Sequence, residues 1–269
     1  MKHEEADMSQ SPDAVLDYLA HCHTLLDKIH SQTAAIYQAA EWFADSISAG
    51  RVVHLFGAGH SRMLVEEMWP RYGSFPGFNP IVELSLTYHN AVVGANGQRQ
   101  AMFLEKSSGL AGKILRNFHI EERDCALVIS SSGANTVPVE MAEEFRHRGL
   151  KVVAIISREH CETSASNHPA GLKLPQCADL VLDTGAPVGD AMVRIPNLDA
   201  PVAPGSSVGG CVLVNAIKAE TAAILTRRGK PPHVLTAANV VGSERAAGIF
   251  EAAYDEHARR LARVLTPPD

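Results

Sequence analysis

Short runs of consecutive apolar residues alternate with segments of helical periodicity from Val52 onward, and this alternation restricts the fold more than any other feature. Runs that are apolar on both faces and separated by helices are typical of a parallel β-sheet covered on both sides. We therefore predict an α/β fold, a three-layer αβα sandwich around a five-stranded parallel sheet. The strand candidates cover residues 52–56, 80–84, 125–130, 152–157 and 180–183.

The first 50 residues form a different pattern, in which apolar residues recur at three- and four-residue spacing. This spacing predicts one long helix or two stacked helices, which begin at Ser11 and Pro12 and end at Gly50. We assign residues 1–50 to a helical N-terminal extension and 51–265 to the α/β domain. The apolar stripe that we expect to pack on a neighbour comprises Val15, Leu19, Cys22, Leu26, Ile29, Thr33, Ile36, Ala40 and Phe43.

Further helices are predicted within the α/β domain, together with one long loop over 184–207 that is rich in proline and glycine. The helix over 208–227 is very apolar. One five-stranded sheet does not bury both this helix and the N-terminal stripe, so self-association is expected. The predicted helices are 110–118, 138–147, 208–227 and 244–264.

The charge balance and the cysteine pattern narrow the class of protein. The 24 basic and 30 acidic residues give a net charge of −6, without the basic excess that is typical of nucleic-acid binding. The polar, acidic N-terminus does not fit a secretory signal, and no apolar run reaches the roughly 18 residues of a membrane span. The five cysteines are scattered like reduced thiols. We expect a cytoplasmic protein, with neither nucleic acid nor a membrane as its partner.

Two loops rich in glycine and hydroxyl residues, 57–61 and 130–136, follow predicted strands and precede helices. Ligands of parallel sheets lie at the carboxyl ends of the strands, where helix N-termini offer N–H groups to a phosphate. The first loop lacks both the third glycine of a dinucleotide fingerprint and the lysine of a P-loop. The alternative is that both loops only cap their helices, through Ser61 and Ser132.

These two loops carry a resemblance to a known family. Gly57-x-Gly59-x-Ser61 and Ser130-x-Ser132-Gly133-x-Asn135-Thr136 resemble the loops of sugar isomerase (SIS) domains. The stretches 84–89, 178–191 and 231–234 are similar to an uncharacterised bacterial branch of phosphosugar-binding SIS proteins. The resemblance covers about residues 10–260. It implies the SIS fold, a sugar phosphate as ligand, no cofactor, and homodimers or homotetramers whose sites lie near subunit interfaces.

The resemblance also implies how the phosphate is held. Ser130, Ser132 and Asn135 would bind it from the second loop and Ser61 from the first. Family members often carry serine or threonine where Asn135 stands, and the asparagine amide can donate a hydrogen bond in their place. The other residues assigned to this binding site are Gly57, Gly59, Gly133 and Thr136.

Aldose–ketose isomerisation needs a carboxylate or histidine that removes a proton beside a carbonyl group. SIS isomerases similar to this chain place a glutamate on the helix after the first loop, which here is Glu66 or Glu67. His89 and Glu220 are further candidates, and Glu83 is another carboxylate at a strand end. The alternative is that all of these are surface or locally packed groups.

The chain departs from one feature of the related isomerases. Isomerases similar to sedoheptulose 7-phosphate isomerase place a histidine acid on the penultimate helix, whereas residues 207–222 contain no histidine. His89, His233 or a residue of another subunit would have to take its place. The segment with His160, Cys161, His168 and Cys177 matches no zinc template, so no metal is expected.

The favoured hypothesis is therefore a sugar-phosphate isomerase, or a related deaminase or etherase, that uses a glutamate to abstract a proton. The alternative from another class is a sensor that binds a phosphosugar without catalysis and regulates a partner. A scaffold subunit with a vestigial pocket is a third possibility.

Overall fold

The N-terminal part of the chain consists of two helices, α1 (Ala14–His30) and α2 (Thr33–Ser48), so the two-helix form of the prediction is observed. The Asp13 carboxylate caps α1 by accepting hydrogen bonds from its first turn. The predicted start at Ser11 and Pro12 lies outside the described residues. The computed structural model describes residues 13–89, 91 and 94–265.

The predicted apolar stripe is buried along α2, where Phe43 has no exposed surface. It is buried in α1 only near the C-terminal end, at Ile29. Val15, Leu19 and Leu26 are exposed, so a single chain does not bury this part of the stripe. The reason is that α1 turns a neighbouring face inward. That face contacts the cluster of Leu25, Met192 and Val193.

The described residues form a five-stranded, all-parallel sheet in the order β2-β1-β3-β4-β5, which confirms the predicted three-layer fold. β1 and β3 are buried along their whole length because helices cover both faces. β2 is an edge strand, which is where the ladder tolerates Pro80. The strands are β1 (Val53–Gly57), β2 (Phe78–Ile81), β3 (Cys125–Ile129), β4 (Lys151–Ile156) and β5 (Leu180–Asp183).

Two apolar clusters fill the space between the sheet and its helices. One joins α2, α3 and α8 to the sheet, and Ala253 adds α10 to it. The other joins α5 and α6 to the opposite face and includes Phe145. The helices are α3 (Arg62–Met68), α4 (Gln98–Leu104), α5 (Leu110–Leu115), α6 (Thr136–His147), α7 (Arg158–Thr163), α8 (Ser206–Arg227), α9 (Ala238–Val241) and α10 (Ser243–Leu265).

The chain thus carries a helical extension at both ends, α1 with α2 and the long α10. Because α2 shares the main apolar cluster with the sheet, the extension is packed onto the domain. The division of the chain into residues 1–50 and 51–265 stays a prediction.

The segment over 184–207 is not a simple loop, which corrects the prediction. It contains a short antiparallel ribbon, β6 (Ala191–Val193) with β7 (Val202–Pro204). The Asp190 carboxylate accepts hydrogen bonds from the Gly205 and Ser206 N–H groups at 3.1 and 2.7 Å. These bonds tie the ribbon to the start of α8, a long-range contact that proline and glycine content does not reveal.

The apolar helix α8 has a length and a mean hydropathy of 1.5 that a bilayer would accept, alone in this respect among the described helices. Half of the most apolar 18-residue stretch of this helix is nevertheless buried inside the protein. Gly209 shows why: a Cβ there would lie 2.2 Å from the carbonyl oxygen of Thr184 at the end of β5. The helix therefore packs directly against the end of the sheet.

Candidate active site

The carboxyl ends of the strands and the start of α8 surround a cleft of about 200 Å³. Hydroxyl, imidazole, amide and carboxyl groups line the cleft, which is the kind of lining that suits a small polar ligand. The segments that line it are represented by Ser61 after β1, Tyr88 after β2, Ser130 after β3, His160 after β4, Thr184 after β5 and Ser206 in α8.

The first glycine loop is shaped by close packing. A Cβ at Gly59, where φ is +55°, would lie 2.5 Å from the Tyr88 ring, and one at Gly57 would lie 2.7 Å from the Ser61 carbonyl oxygen. The chain then makes a single 3₁₀ turn and enters α3. Ser61 occupies the N-cap position, but its side chain caps none of the described backbone N–H groups. Its hydroxyl lines the cleft and is available to a ligand.

The second loop, between β3 and α6, is held by its own side chains. The Ser130 hydroxyl accepts a hydrogen bond from the Gly133 N–H at 3.2 Å, and the Ser132 hydroxyl accepts one from the Ala134 N–H at 3.4 Å. Both serines line the cleft. Because a hydroxyl that accepts can still donate, the turn geometry leaves each of them a proton for an anion.

Asn135 and Thr136 open α6 and differ in what they face. The Asn135 side chain lines the cleft, and its oxygen accepts a hydrogen bond from Asn167 at 2.9 Å, which leaves the amide as its donor. The Thr136 hydroxyl donates to the Asn167 carbonyl at 2.9 Å and is buried. Ser131, which the sequence did not single out, also lines the cleft, and its buried hydroxyl has no partner among the described residues.

One carboxylate inside the cleft was missed at the sequence level. Glu105 follows α4, is only 7% exposed and lines the cleft. Burial raises the pKa of its carboxyl above the ordinary value, although the Asn135 amide and the Lys106 ammonium act in the opposite direction. Burial, and next the charge of Glu105, raise the pKa of Tyr88. The two groups therefore lie within electrostatic reach of each other.

Three further titratable side chains line the cleft, and backbone N–H groups orient two of them, His160 and Asp190. The Nδ1 atom of His160 accepts a hydrogen bond from the Gly189 N–H at 3.1 Å, so the neutral ring carries its proton on Nε2. His60 packs edge-on against Tyr88, with ring centroids 5.4 Å apart. Asp190 also lines the cleft, with its carboxylate bound to the start of α8.

The two glutamates predicted on α3 lie outside the residues that line this cleft. Glu66 is exposed and 3.6 Å from the Arg62 guanidinium. Glu67 faces α8, where Asn215 donates to its carboxylate at 2.8 Å, and it pairs with Arg71. Burial acts to raise the pKa of Glu67, but Asn215 and Arg71 together lower it below the usual value.

The remaining predicted catalytic residues have local partners. Arg62 donates to the His89 ring at 2.8 Å, and Arg227 donates to Glu220 at 2.8 Å on the surface of α8. Neither His89 nor Glu220 lines the cleft, and the catalytic roles given to them and to the α3 glutamates stay predictions. Among residues 13–89, 91 and 94–265, no three His, Cys, Asp or Glu side chains are grouped as for a metal ion.

Some residues of the cleft were not assigned to it from the sequence, and they differ in how far the sequence pointed to them. Tyr88 and Asp190 lie in the stretches that resemble SIS proteins, and His160 was considered only as a metal ligand. Glu105 had no signal, because it lies outside the predicted elements and outside the stretches that carry the resemblance. A tertiary contact brings it to the site: the Val137 N–H in the first turn of α6 donates to the Glu105 carbonyl at 2.9 Å.

Comparisons with known proteins show the family of this chain. The family model described as SIS domain matches residues 17–157, which is more than half of the chain. The chain belongs to the SIS domain family. A UPF0309 protein of Halalkalibacterium halodurans is 35% identical over 229 residues, which cover 85% of this chain and 92% of the relative. A UPF0309 protein of Thermoanaerobacter pseudethanolicus is 32% identical, with 86% and 93% covered.

A phosphoheptose isomerase from Neisseria gonorrhoeae is among the solved structures similar to this SIS protein. Its TM-score is 0.49 at 15% identity, with 79% of this chain and 97% of the other covered. The sugar isomerase domain of a transcription factor from Sphaerobacter thermophilus has a TM-score of 0.46 at 15% identity, with 90% and 96% covered.

Proposed function

We propose that this SIS protein binds a sugar phosphate in the cleft and converts it by proton abstraction beside a carbonyl group. The observation that carries the proposal is the convergence of both predicted loops on one cleft. Ser61 from the first loop and Ser130, Ser132 and Asn135 from the second all line it. The same two loops contain the other residues assigned to the site, which we propose maintain the shape of the loops: Gly57, Gly59, Gly133 and Thr136.

The phosphate is proposed to lie against the second loop, at the start of α6. This helix is 12 residues long, and its N-terminus carries a partial positive charge that favours an anion. The net charge of −6 does not prevent this, because backbone N–H groups and hydroxyls act at short range while distant charges are screened. The Asp190 carboxylate is already satisfied by donors at the start of α8.

The reaction proposed is an aldose–ketose isomerisation, a deamination or the elimination of an ether. All three begin with removal of a proton from the carbon beside a carbonyl or an imine. A bound phosphate would hold the sugar so that this carbon lies next to the base. This positioning would raise the rate of proton abstraction. We propose that no cofactor takes part. A sensor that binds the same ligand without turnover is the alternative outcome of the test below.

A homodimer or homotetramer is proposed as the working form, in the cytoplasm. The exposed residues Val15, Leu19 and Leu26 of α1 support an association surface, because contiguous apolar side chains on a protein surface usually mark an interface. The helix α8 contributes less to this surface than its composition suggests, since half of its most apolar 18-residue stretch is buried inside the protein.

The test is a thermal-shift and calorimetric screen with the monophosphates of fructose, arabinose, glucosamine and sedoheptulose, each against its free sugar. We expect stabilisation by at least one phosphate and by none of the free sugars. Ser132→Ala should weaken that binding about tenfold or more, because it removes a hydrogen bond to a charged group. Ser31→Ala, at an exposed serine in the turn after α1, is the matched control.

Proton NMR in deuterium oxide then separates enzyme from sensor. Exchange of the carbon-bound proton of the binding sugar supports catalysis, while binding without exchange or product supports the sensor. If no sugar phosphate stabilises the protein and Ser132→Ala behaves like Ser31→Ala, the phosphosugar proposal is wrong.

A further inference from the structure

We propose that Glu105 is the catalytic group that transfers the proton in this cleft, with Tyr88 beside it. The inference rests on the proposed function, because it assigns the base for that reaction. It differs from the sequence-level prediction, which placed the base on α3. Three features of the structure carry it: the position of Glu105, the way it is held, and the groups around it.

The position of Glu105 is inside the cleft and beside the phosphate end. The residue lines the cleft together with Ser130 and Asn135, and its carboxyl is close enough to the Asn135 amide to be influenced by it. Asn135 in turn is the N-cap of α6. A sugar whose phosphate lies at that helix start would therefore place its carbon chain in the same cleft as the carboxyl.

The backbone of Glu105 is attached to the start of α6, where the phosphate is proposed to lie. Its carbonyl oxygen accepts a hydrogen bond at 2.9 Å from the Val137 N–H, in the first turn of α6. The same helix turn would thus bind the ligand on one side and the backbone of Glu105 on the other. Rigid attachment of a base to the phosphate site is the condition for a productive near-attack geometry.

The carboxyl of Glu105 has the Asn135 amide as a hydrogen-bond partner. Within the described part of the chain it takes part in no ion pair, whereas Glu66 and Glu67 are each paired with an arginine. Burying a carboxyl without an ion-pair partner costs stability, and such groups are frequent at functional sites. Its neighbours are Tyr88 from the segment after β2, the Asn135 amide from α6 and the adjacent Lys106. His60 and His160 also line the cleft.

Burial raises the pKa of Glu105, which makes its carboxylate a stronger base at neutral pH than an exposed glutamate. In an aldose–ketose isomerisation this carboxylate takes the proton from the carbon next to the carbonyl. The electron pair of the broken C–H bond forms the double bond of an enediol. The protonated carboxyl then returns the proton to the neighbouring carbon, while a hydroxyl proton passes between the two sugar oxygens, so that atoms and electrons balance.

The test compares Glu105→Gln with the wild-type protein in the deuterium-exchange assay, using the same four sugar monophosphates. We expect Glu105→Gln to bind the phosphate that stabilises the wild type with an affinity within a fewfold, and to lose exchange by about a hundredfold or more. Glu162→Gln, at an exposed glutamate on α7, is the matched control and should exchange like the wild type.

A pH profile separates a catalytic role from a merely structural one. The acid limb of the exchange rate should lie above the ordinary glutamate pKa of about 4.3. Glu105→Asp keeps a carboxyl but withdraws it by one methylene, so it should retain a reduced rate with an acid limb at a changed pH. This variant also serves if Glu105→Gln does not fold, as monitored by its thermal unfolding.

Two results would overturn the inference and leave sugar-phosphate binding intact. One is a Glu105→Gln variant that exchanges the proton at the wild-type rate. If Glu67→Gln then loses exchange, the base is Glu67 on α3. The other is tight binding by the wild type without any exchange. Absence of binding by every phosphate in the screen instead overturns the proposed function and, with it, the substrate on which Glu105 would act.

Discussion

Asp124, at the end of the sheet opposite the cleft, shows how a single side chain can secure several elements. Its carboxylate accepts two hydrogen bonds from Arg51, both at 2.8 Å, and one from the His54 ring at 3.2 Å. Asn79 of β2 donates to the other nitrogen of that ring at 3.0 Å. All four side chains are buried, and Arg51 also pairs with the partly exposed Glu121, with 2.9 Å between nitrogen and oxygen.

We expect Asp124→Asn to lower the free energy of unfolding by about 1.5–3 kcal/mol, because it removes the buried carboxylate that accepts hydrogen bonds from the Arg51 cation and leaves Arg51 with the partly exposed Glu121 as its carboxylate partner. Urea unfolding at neutral pH measures this loss. Glu144→Gln is the matched control, since it breaks a partly exposed pair with Arg148 and should cost about 0–1 kcal/mol. Equal losses in the two variants would show that the buried network stabilises the fold no more than a partly exposed ion pair does.

The same residue predicts a pH dependence of stability. Burial acts to raise the pKa of Asp124, but the hydrogen bonds from His54 and Arg51 prevail and hold it well below its usual range. A depressed carboxyl pKa stabilises the fold above the unfolded value of about 3.9, and this stabilisation is lost as the pH falls below it. Unfolding curves from pH 7 down to the acid range should therefore fall less steeply for Asp124→Asn than for the wild type.

Gly59, in the loop between β1 and α3, is required for its backbone conformation and for its close contact with Tyr88. A comparison with Gly73, which has only the first requirement, separates the two effects. Gly59 and Gly73 both have a positive φ, +55° and +79°, so alanine is strained at either position. Only at Gly59 would the new Cβ meet another group, the Tyr88 ring; at Gly73 nothing described lies within 4 Å.

We expect Gly73→Ala to cost about 1–2 kcal/mol from its backbone conformation alone. Gly59→Ala should cost about 1–3 kcal/mol more, because the Tyr88 ring must move out of a packed position. Urea unfolding gives the difference, and the sugar-phosphate binding assay shows whether the displaced ring alters the cleft. Equal stability in the two variants would mean that Tyr88 is free to move, contrary to its packing.

The elements also show which parts of the structure the sequence could predict. β5 was predicted with its observed bounds, because a short apolar run between polar residues is typical of a strand. The ribbon of β6 and β7 was missed, because Asp190 holds it through contacts with the start of α8. Glu105 was missed for the same reason: nothing near it in sequence reveals the hydrogen bond from Val137. The two serine loops were found because glycines and hydroxyls after strands have a local signature.

For the whole molecule, the face of α1 is the feature that a single copy leaves unexplained. Val15 and Leu19 are 68% and 50% exposed, and Leu26 is 42% exposed. A helix advances about 100° per residue, so these three side chains occupy a narrow sector beside the buried face. A second copy of the chain, which carries the same stripe, would cover this surface in a symmetric dimer.

We therefore expect the wild-type protein to sediment as a dimer or tetramer and Leu19→Asp to shift it towards the monomer, because the substitution would bury a carboxylate in an apolar contact. Sedimentation velocity over a range of concentrations measures this. Ala20→Asp is the matched control: it adds the same charge on α1 about 100° away from Leu19, at an exposed position. If both variants keep the wild-type mass, subunits associate through another face. If only Leu19→Asp dissociates, its sugar-phosphate affinity tells whether the cleft is complete within one subunit.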